Sequence, residues 1–103
     1  MKCSVANDTY ADIIEIPDPV ALKIKKYRNQ FLDWLYDPKA KHPYRVKVPD
    51  GKGNWFYGVI HDTSAFVEWL NKRVIKNKYK PAVIVESNLN PNACPEGMIE
   101  IFF

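Results

Sequence analysis

Few residues in this sequence are equipped for chemistry, and their spacing limits what they do. His61 and Asp62 are neighbours: an imidazole that titrates near neutrality beside a carboxylate able to orient it is the minimum of an acid–base pair, with Thr63 and Ser64 supplying hydroxyls. Adjacent residues on a strand point to opposite faces, however, and an Asp ahead of an amphipathic run is a helix cap, so Asp62 is expected to accept a backbone N–H instead. His42 and His61 fit no metal spacing such as HExxH. Cys3 and Cys94 lie near opposite ends with no CxxC pair, which is neither a zinc pattern nor a disulfide framework, and both read as free thiols. Nothing basic flanks Cys94 in Asn92-Ala93-Cys94-Pro95 to activate it. Gly51-Lys52-Gly53 joins two strand-like runs, whereas a phosphate-binding loop needs GxxxxGKS/T between a strand and a helix. It is a hairpin turn. These residues lead to no catalytic motif, no metal and no cofactor, and the expectation is a protein that is not an enzyme.

The densest grouping of another kind surrounds that turn. Tyr44 to Val48 alternates apolar and basic residues, Pro49 to Asn54 supplies turn chemistry, and Trp55 to Ile60 is strand-like again, so the segment is expected to be a β-hairpin. With Tyr44, Val46 and Val48 lining the core alongside Phe56 and Ile60, the opposite face shows Arg45, Lys47, Trp55 and Tyr57. Rings interleaved with cations suit single-stranded nucleic acid, because bases stack on the rings while phosphates seek the charges, and Gly58 leaves room for a stacked base. Lys52, Gly53 and Phe56 resemble the Lys/Arg, Gly and Phe of the RNA-recognition domain's aromatic motif. Asn54 stands where that motif has an aromatic, Trp55 where it has a small residue, and Val59 where it has its last aromatic, so its roles do not carry over. The same residue types, Trp, Tyr and Arg, are those most enriched in protein-binding hot spots.

The elements that must position this hairpin follow from local pattern. Ala11 to Ile16, with Ile13, Ile14 and Ile16, reads as the first strand. Asp18-Pro19 then supplies a capping acid and a proline at the first helical position. Val20, Ile24, Tyr27, Phe31 and Trp34/Leu35 recur at helical spacing up to Asp37-Pro38, with Lys23, Lys25, Lys26 and Arg28 on the solvated side. A second helix after Asp62 carries Phe66, Val67, Leu70 and Val74 on one face, with Lys72, Arg73 and Lys76 in its last turn, and stops near Asn77. Ala82–Glu86 and Met98–Phe103 read as strands. The order is β-α-β-β-α-β with an extra C-terminal strand. This is the ferredoxin-like, α+β arrangement, in which two helices cover one face of a mainly antiparallel sheet and the other face stays open.

The chain's 103 residues suit a single compact domain, and 47% hydrophobic content is enough to fold it. Apolar runs are too short to cross a bilayer, so no membrane association is expected. No secretory signal is visible in Met1 to Tyr10, so the Asn7-Asp8-Thr9 sequon is discounted and a cytoplasmic location is expected. The net charge of +3 is segregated: residues 20–80 carry 14 bases against 5 acids, while the two ends hold 1 base against 7 acids. Acidic terminal strands lying beside basic neighbours account for this, as does a basic face for a polyanion. The expectation is a non-enzymatic binding domain, of inhibitor, immunity or regulatory type, that contacts a protein partner or a second copy through Arg45, Lys47, Trp55 and Tyr57. The alternative is single-stranded RNA or DNA on the same face, with Lys52 and the Lys39–Lys41 loop on phosphates.

Overall fold

The β-branched run centred on Ile13 and Ile14 does form a strand, but it is the second of six. The computed structural model describes all residues from Met1 to Phe103. Its elements are β1 (Lys2–Ala6), β2 (Ala11–Glu15), α1 (Asp18–Ala21), α2 (Ile24–Tyr36), β3 (Arg45–Pro49), β4 (Trp55–Val59), α3 (Thr63–Leu70) continuing into a π turn (Asn71–Ile75), β5 (Val83–Leu89) and β6 (Ile99–Phe102). The fold is mixed α+β, with three helices and two sheets. The larger sheet has the order β5-β2-β1-β6 and is mainly antiparallel, with β6 parallel to β1. The smaller consists of β3 and β4 alone.

This topology departs from the expected ferredoxin-like order in two ways. An additional strand, β1, sits at the centre of the sheet, and the hairpin stands outside the sheet altogether. β1 lacks the β-branched signature of a strand, because its Cys3, Ser4 and Ala6 are small residues sandwiched between two covered faces. On one face Cys3, Val5, Ile14 and Ile101 meet Ile24, Phe31 and Leu35 of α2 and Phe66, Trp69 and Leu70 of α3 in one core. On the other face Ser4, Ala6, Ala11 and Ile13 are also buried. Parallel strands at opposite edges require a crossover, and here residues 90–98 carry the chain from β5 to β6 across this second face. The Ser4 hydroxyl approaches the Cys94 thiol on this face, and that thiol lies 3.6 and 3.7 Å from the Pro95 and Met98 carbonyls. The face expected to be open is therefore covered at its centre.

The helical stripes are in place with two adjustments. The long helix expected from Pro19 is interrupted: α1 is one turn with Pro17 at its N-cap, and the Asp18 side chain makes no cap bond. Leu22 and Lys23, both exposed, form a turn before α2, which lets Val20, Ala21 and Ile24 all reach the core. At the other helix, Asp62 does cap α3, its Oδ1 accepting the Ala65 N–H at 2.9 Å. Past Leu70 the helix widens: Lys76 N–H donates to the Asn71 carbonyl at 2.8 Å, an i to i+5 bond. The extra residue in that turn puts Ile75, fully buried, below Leu70, and leaves the expected Val74 only half-buried.

Candidate interaction surface

The β3–β4 hairpin is built around its turn. Asp50 Oδ1 accepts the N–H groups of Lys52 and Asn54 at 2.7 and 3.1 Å, while Gly51 and Gly53 take the left-handed conformations (φ 79° and 86°) that let the chain reverse. The register sets Arg45 opposite Val59, Lys47 opposite Tyr57 and Pro49 opposite Trp55, so these six share one face. Val46, Val48, Phe56 and Gly58 share the other.

Arg45, Lys47, Trp55 and Tyr57 thus lie on a common face, but they are not equivalent. Lys47 places its ammonium 5.3 Å from the centre of the Trp55 ring, a cation–π contact, with Tyr57 directly across the ladder. Arg45 is committed elsewhere: its guanidinium donates to the Asp37 carbonyl at 2.7 Å and the Pro38 carbonyl at 3.4 Å. Both carbonyls lie just past the C-terminus of α2, and that of Asp37 also accepts the Ala40 N–H at 3.0 Å, so Arg45 fastens the hairpin's base to the turn that ends the helix. Lys52 is exposed at the tip, at the far end of the ladder from Arg45.

The opposite face does not line the core. Trp55, Phe56, Tyr57 and Ile60 are 59, 53, 72 and 66% exposed, so large apolar groups meet solvent on both sides of the ribbon. The hairpin stands outside the larger sheet and meets the core only at its base, through Tyr44 and Val59. Gly58 does not make room beside Trp55, because its missing side chain would point toward Val48 on the far face.

The remaining candidates are placed as follows. His61 is wedged edge-on between Phe31 and Phe103, with ring centroids 5.8 and 5.3 Å away, and burial pushes its imidazole below the ordinary range, with the Asp62 charge opposing the shift. Asp62 serves as the cap through Oδ1, and no hydrogen bond joins it to the His61 ring. Cys3 and Cys94 are unpaired; burial drives the Cys3 thiol up to about 12 and also raises that of Cys94, where Glu100 adds to the shift. No three His, Cys, Asp or Glu side chains converge. No helix is long and apolar enough to cross a membrane. The one ion pair between side chains, Glu68–Lys72 at 2.7 Å, lies within α3 and its π turn, while Arg28 of α2 donates to the Phe102 carbonyl of β6 at 2.9 and 2.6 Å.

Sequence reasoning missed a second feature at the hairpin's root. A cleft of about 170 Å³ opens between residues 41–44 and α3 with its π turn, walled by Trp34, His42, Tyr44 and Trp69 and rimmed by Lys41, Glu68, Lys72 and Arg73. His42 is fixed there: its Nδ1 accepts the Tyr44 N–H at 3.3 Å, which leaves Nε2–H to donate to the Leu35 carbonyl at 2.8 Å. The helical spacing of Lys72 and Arg73 was visible; their approach to residues 41–44 depends on tertiary packing that no local pattern carries. No protein-family model, no curated protein and no solved structure matches this chain.

Proposed function

We propose that this protein is a non-enzymatic binding domain that engages another protein through the projecting β3–β4 hairpin. The observation that carries this reading is the exposure of Trp55, Phe56, Tyr57 and Ile60 on both faces of a two-stranded ribbon. A ribbon of two strands is marginal by itself, and contiguous exposed aromatics mark contact sites. Trp55 and Tyr57, with Lys47 held over the indole, form a rigid amphipathic anchor of the kind that dominates interface energetics. Phe56 and Ile60 on the reverse favour protein over nucleic acid, since that face carries no cation for phosphates. Two unpaired thiols suit a reducing compartment such as the cytoplasm.

Single-stranded nucleic acid is the second reading, favoured by the Lys47–Trp55–Tyr57 arrangement with Lys52 at the tip. One experiment separates the two. Tryptophan emission is titrated with short single-stranded RNA and DNA at low and moderate salt, with Trp55→Phe as the control, while light scattering and affinity capture compare the wild type with Trp55→Ala. Self-association or capture of a defined partner that is lost in Trp55→Ala, with a flat nucleic-acid titration, supports protein contact. Quenching that weakens with salt and disappears in Trp55→Phe replaces it with nucleic acid. Association unchanged by Trp55→Ala overturns the hairpin as the contact surface.

A further inference from the structure

The cleft at the hairpin's root has an unbalanced charge. Of its three cations only Lys72 has a carboxylate partner, Glu68, whose other oxygen accepts the Tyr44 hydroxyl at 2.9 Å. These two bonds, that from Lys72 first, hold the Glu68 carboxyl below its ordinary range, so its charge is already occupied. Lys41 and Arg73 form no ion pair and donate no hydrogen bond from their side chains to the rest of the chain. Arg73 lies over the Trp34 ring, 5.6 Å from its centre, and Trp34 in turn packs against His42 at 4.7 Å, so the guanidinium rests on the cleft's aromatic wall with its N–H donors unspent. Both Lys72 and Arg73 sit on the π turn, an irregularity that helices frequently carry at functional sites.

We propose that this cleft is an oxyanion-binding pocket that takes one carboxylate or phosphate group, with Arg73 and Lys41 as its ligating cations. A guanidinium fork matches either group with paired charge-assisted hydrogen bonds, and Lys41 closes the far side as a point charge. The volume, about 170 Å³, falls below the roughly 300 Å³ at which drug-sized pockets begin, so it admits a single acidic group with a short stem and not a nucleotide. Aromatic walls on Trp34, His42, Tyr44 and Trp69 exclude water from one side and strengthen the pairing. This site is separate from the hairpin faces and stands whether or not the hairpin binds protein.

The test uses Trp55→Phe protein, in which Trp34 and Trp69 report from the cleft walls. Tryptophan emission is titrated at constant ionic strength with inorganic phosphate, acetate and N-acetylglutamate amide. A saturable change is expected, weakened roughly tenfold or more by Arg73→Gln and by Lys41→Gln, each of which removes a charged donor, and unchanged by Lys52→Gln at the hairpin tip. Preference among the three probes assigns the source: phosphate for a phosphoryl ligand, acetate for a free carboxylate, the blocked glutamate for an acidic side chain. Lys41→Gln alters an exposed loop residue, so it tests the pocket even where Arg73→Gln perturbs the helix. A response that grows without saturating, or one equal in the Lys41 variant and its parent, overturns the proposal.

Discussion

The side chain of Asn71 pairs twice with the backbone of Ala82: its Oδ1 accepts the Ala82 N–H at 2.7 Å and its Nδ2 donates to the Ala82 carbonyl at 3.1 Å. The amide imitates one rung of a β-ladder and ties the first residue of the π turn to the residue before β5. Ala82 is itself buried, so both backbone groups need this partner. Asn71→Ala is expected to cost about 1–3 kcal/mol in urea unfolding, since two polar groups lose their partner. Asn71→Asp keeps the acceptor but sets a carboxylate against the carbonyl, so it is expected to destabilise at least as much. An Asp variant as stable as the wild type would show that the Nδ2 bond contributes nothing.

The tryptophans are expected to separate by role. Trp69 is buried against Phe31 and Phe66, with centroids 5.7 and 6.4 Å away, and Trp69→Ala is expected to cost about 3–5 kcal/mol. Trp55→Ala removes an exposed ring and is expected to change stability by less than about 0.5 kcal/mol. Denaturant midpoints at equal m-value check the contrast. A large loss for Trp55→Ala would mean that the hairpin supports the fold, and binding losses in that variant would then have no simple meaning.

Arg45 holds the hairpin by carbonyls at the end of α2, a role that residue type alone does not announce. Arg45→Ala is expected to reduce amide-exchange protection in β3 and β4 while leaving β1 and β2 protected, because the body of the fold does not depend on this contact. The global cost is about 1 kcal/mol or less, given that the bonds are exposed. Arg45→Lys offers a point charge without the fork and restores the protection only in part. Equal loss of protection across both sheets would contradict the separation of hairpin and body.

Much of this arrangement was written locally. The stripe Ile24–Phe31–Leu35, the Asp62 cap and the Asp50–Asn54 turn are set by spacing and capping chemistry within a few residues, and all are present in the structure. The register that gathers Lys47, Trp55 and Tyr57 is equally local. What escaped is non-local. β1 is a strand because of what covers it, with Cys3 in the core and Ser4 under Cys94, and its small residues carry no strand signal of their own. The hairpin's detachment from the sheet follows from β1 taking the central position, so Phe56 and Ile60, read as core from alternation, are left in solvent. Ile75 escaped because the π turn breaks the 3.6-residue period by one residue.

The thiols are expected to differ in reactivity. Cys3 is fully buried and its thiol is raised to about 12, so at pH 8 it has almost no thiolate and no access. Cys94 is partly exposed, with its thiol raised chiefly by burial, and is expected to react slowly with a disulfide reagent in the native state. One thiol per chain should titrate without denaturant and two with it. Two fast thiols in native protein would mean that β1 opens readily.

The pH dependence of stability should carry the mark of His61. Burial between Phe31 and Phe103 lowers its imidazole below the ordinary value near 6.5, and Asp62 offsets only part of that shift. The unfolded chain therefore binds this proton more tightly than the folded one. By linkage, the His61 contribution is fully present above the unfolded value and is lost as pH falls through about 6.5 toward the lower folded value. His61→Phe keeps an aromatic ring between its two neighbours and removes the titration. Melting temperatures between pH 7.5 and 5 are expected to fall less steeply in the variant than in the wild type, the two curves converging or crossing on the acid side. Parallel curves would show that the imidazole is protonated equally easily folded and unfolded, and that its place between Phe31 and Phe103 is not desolvated enough to matter.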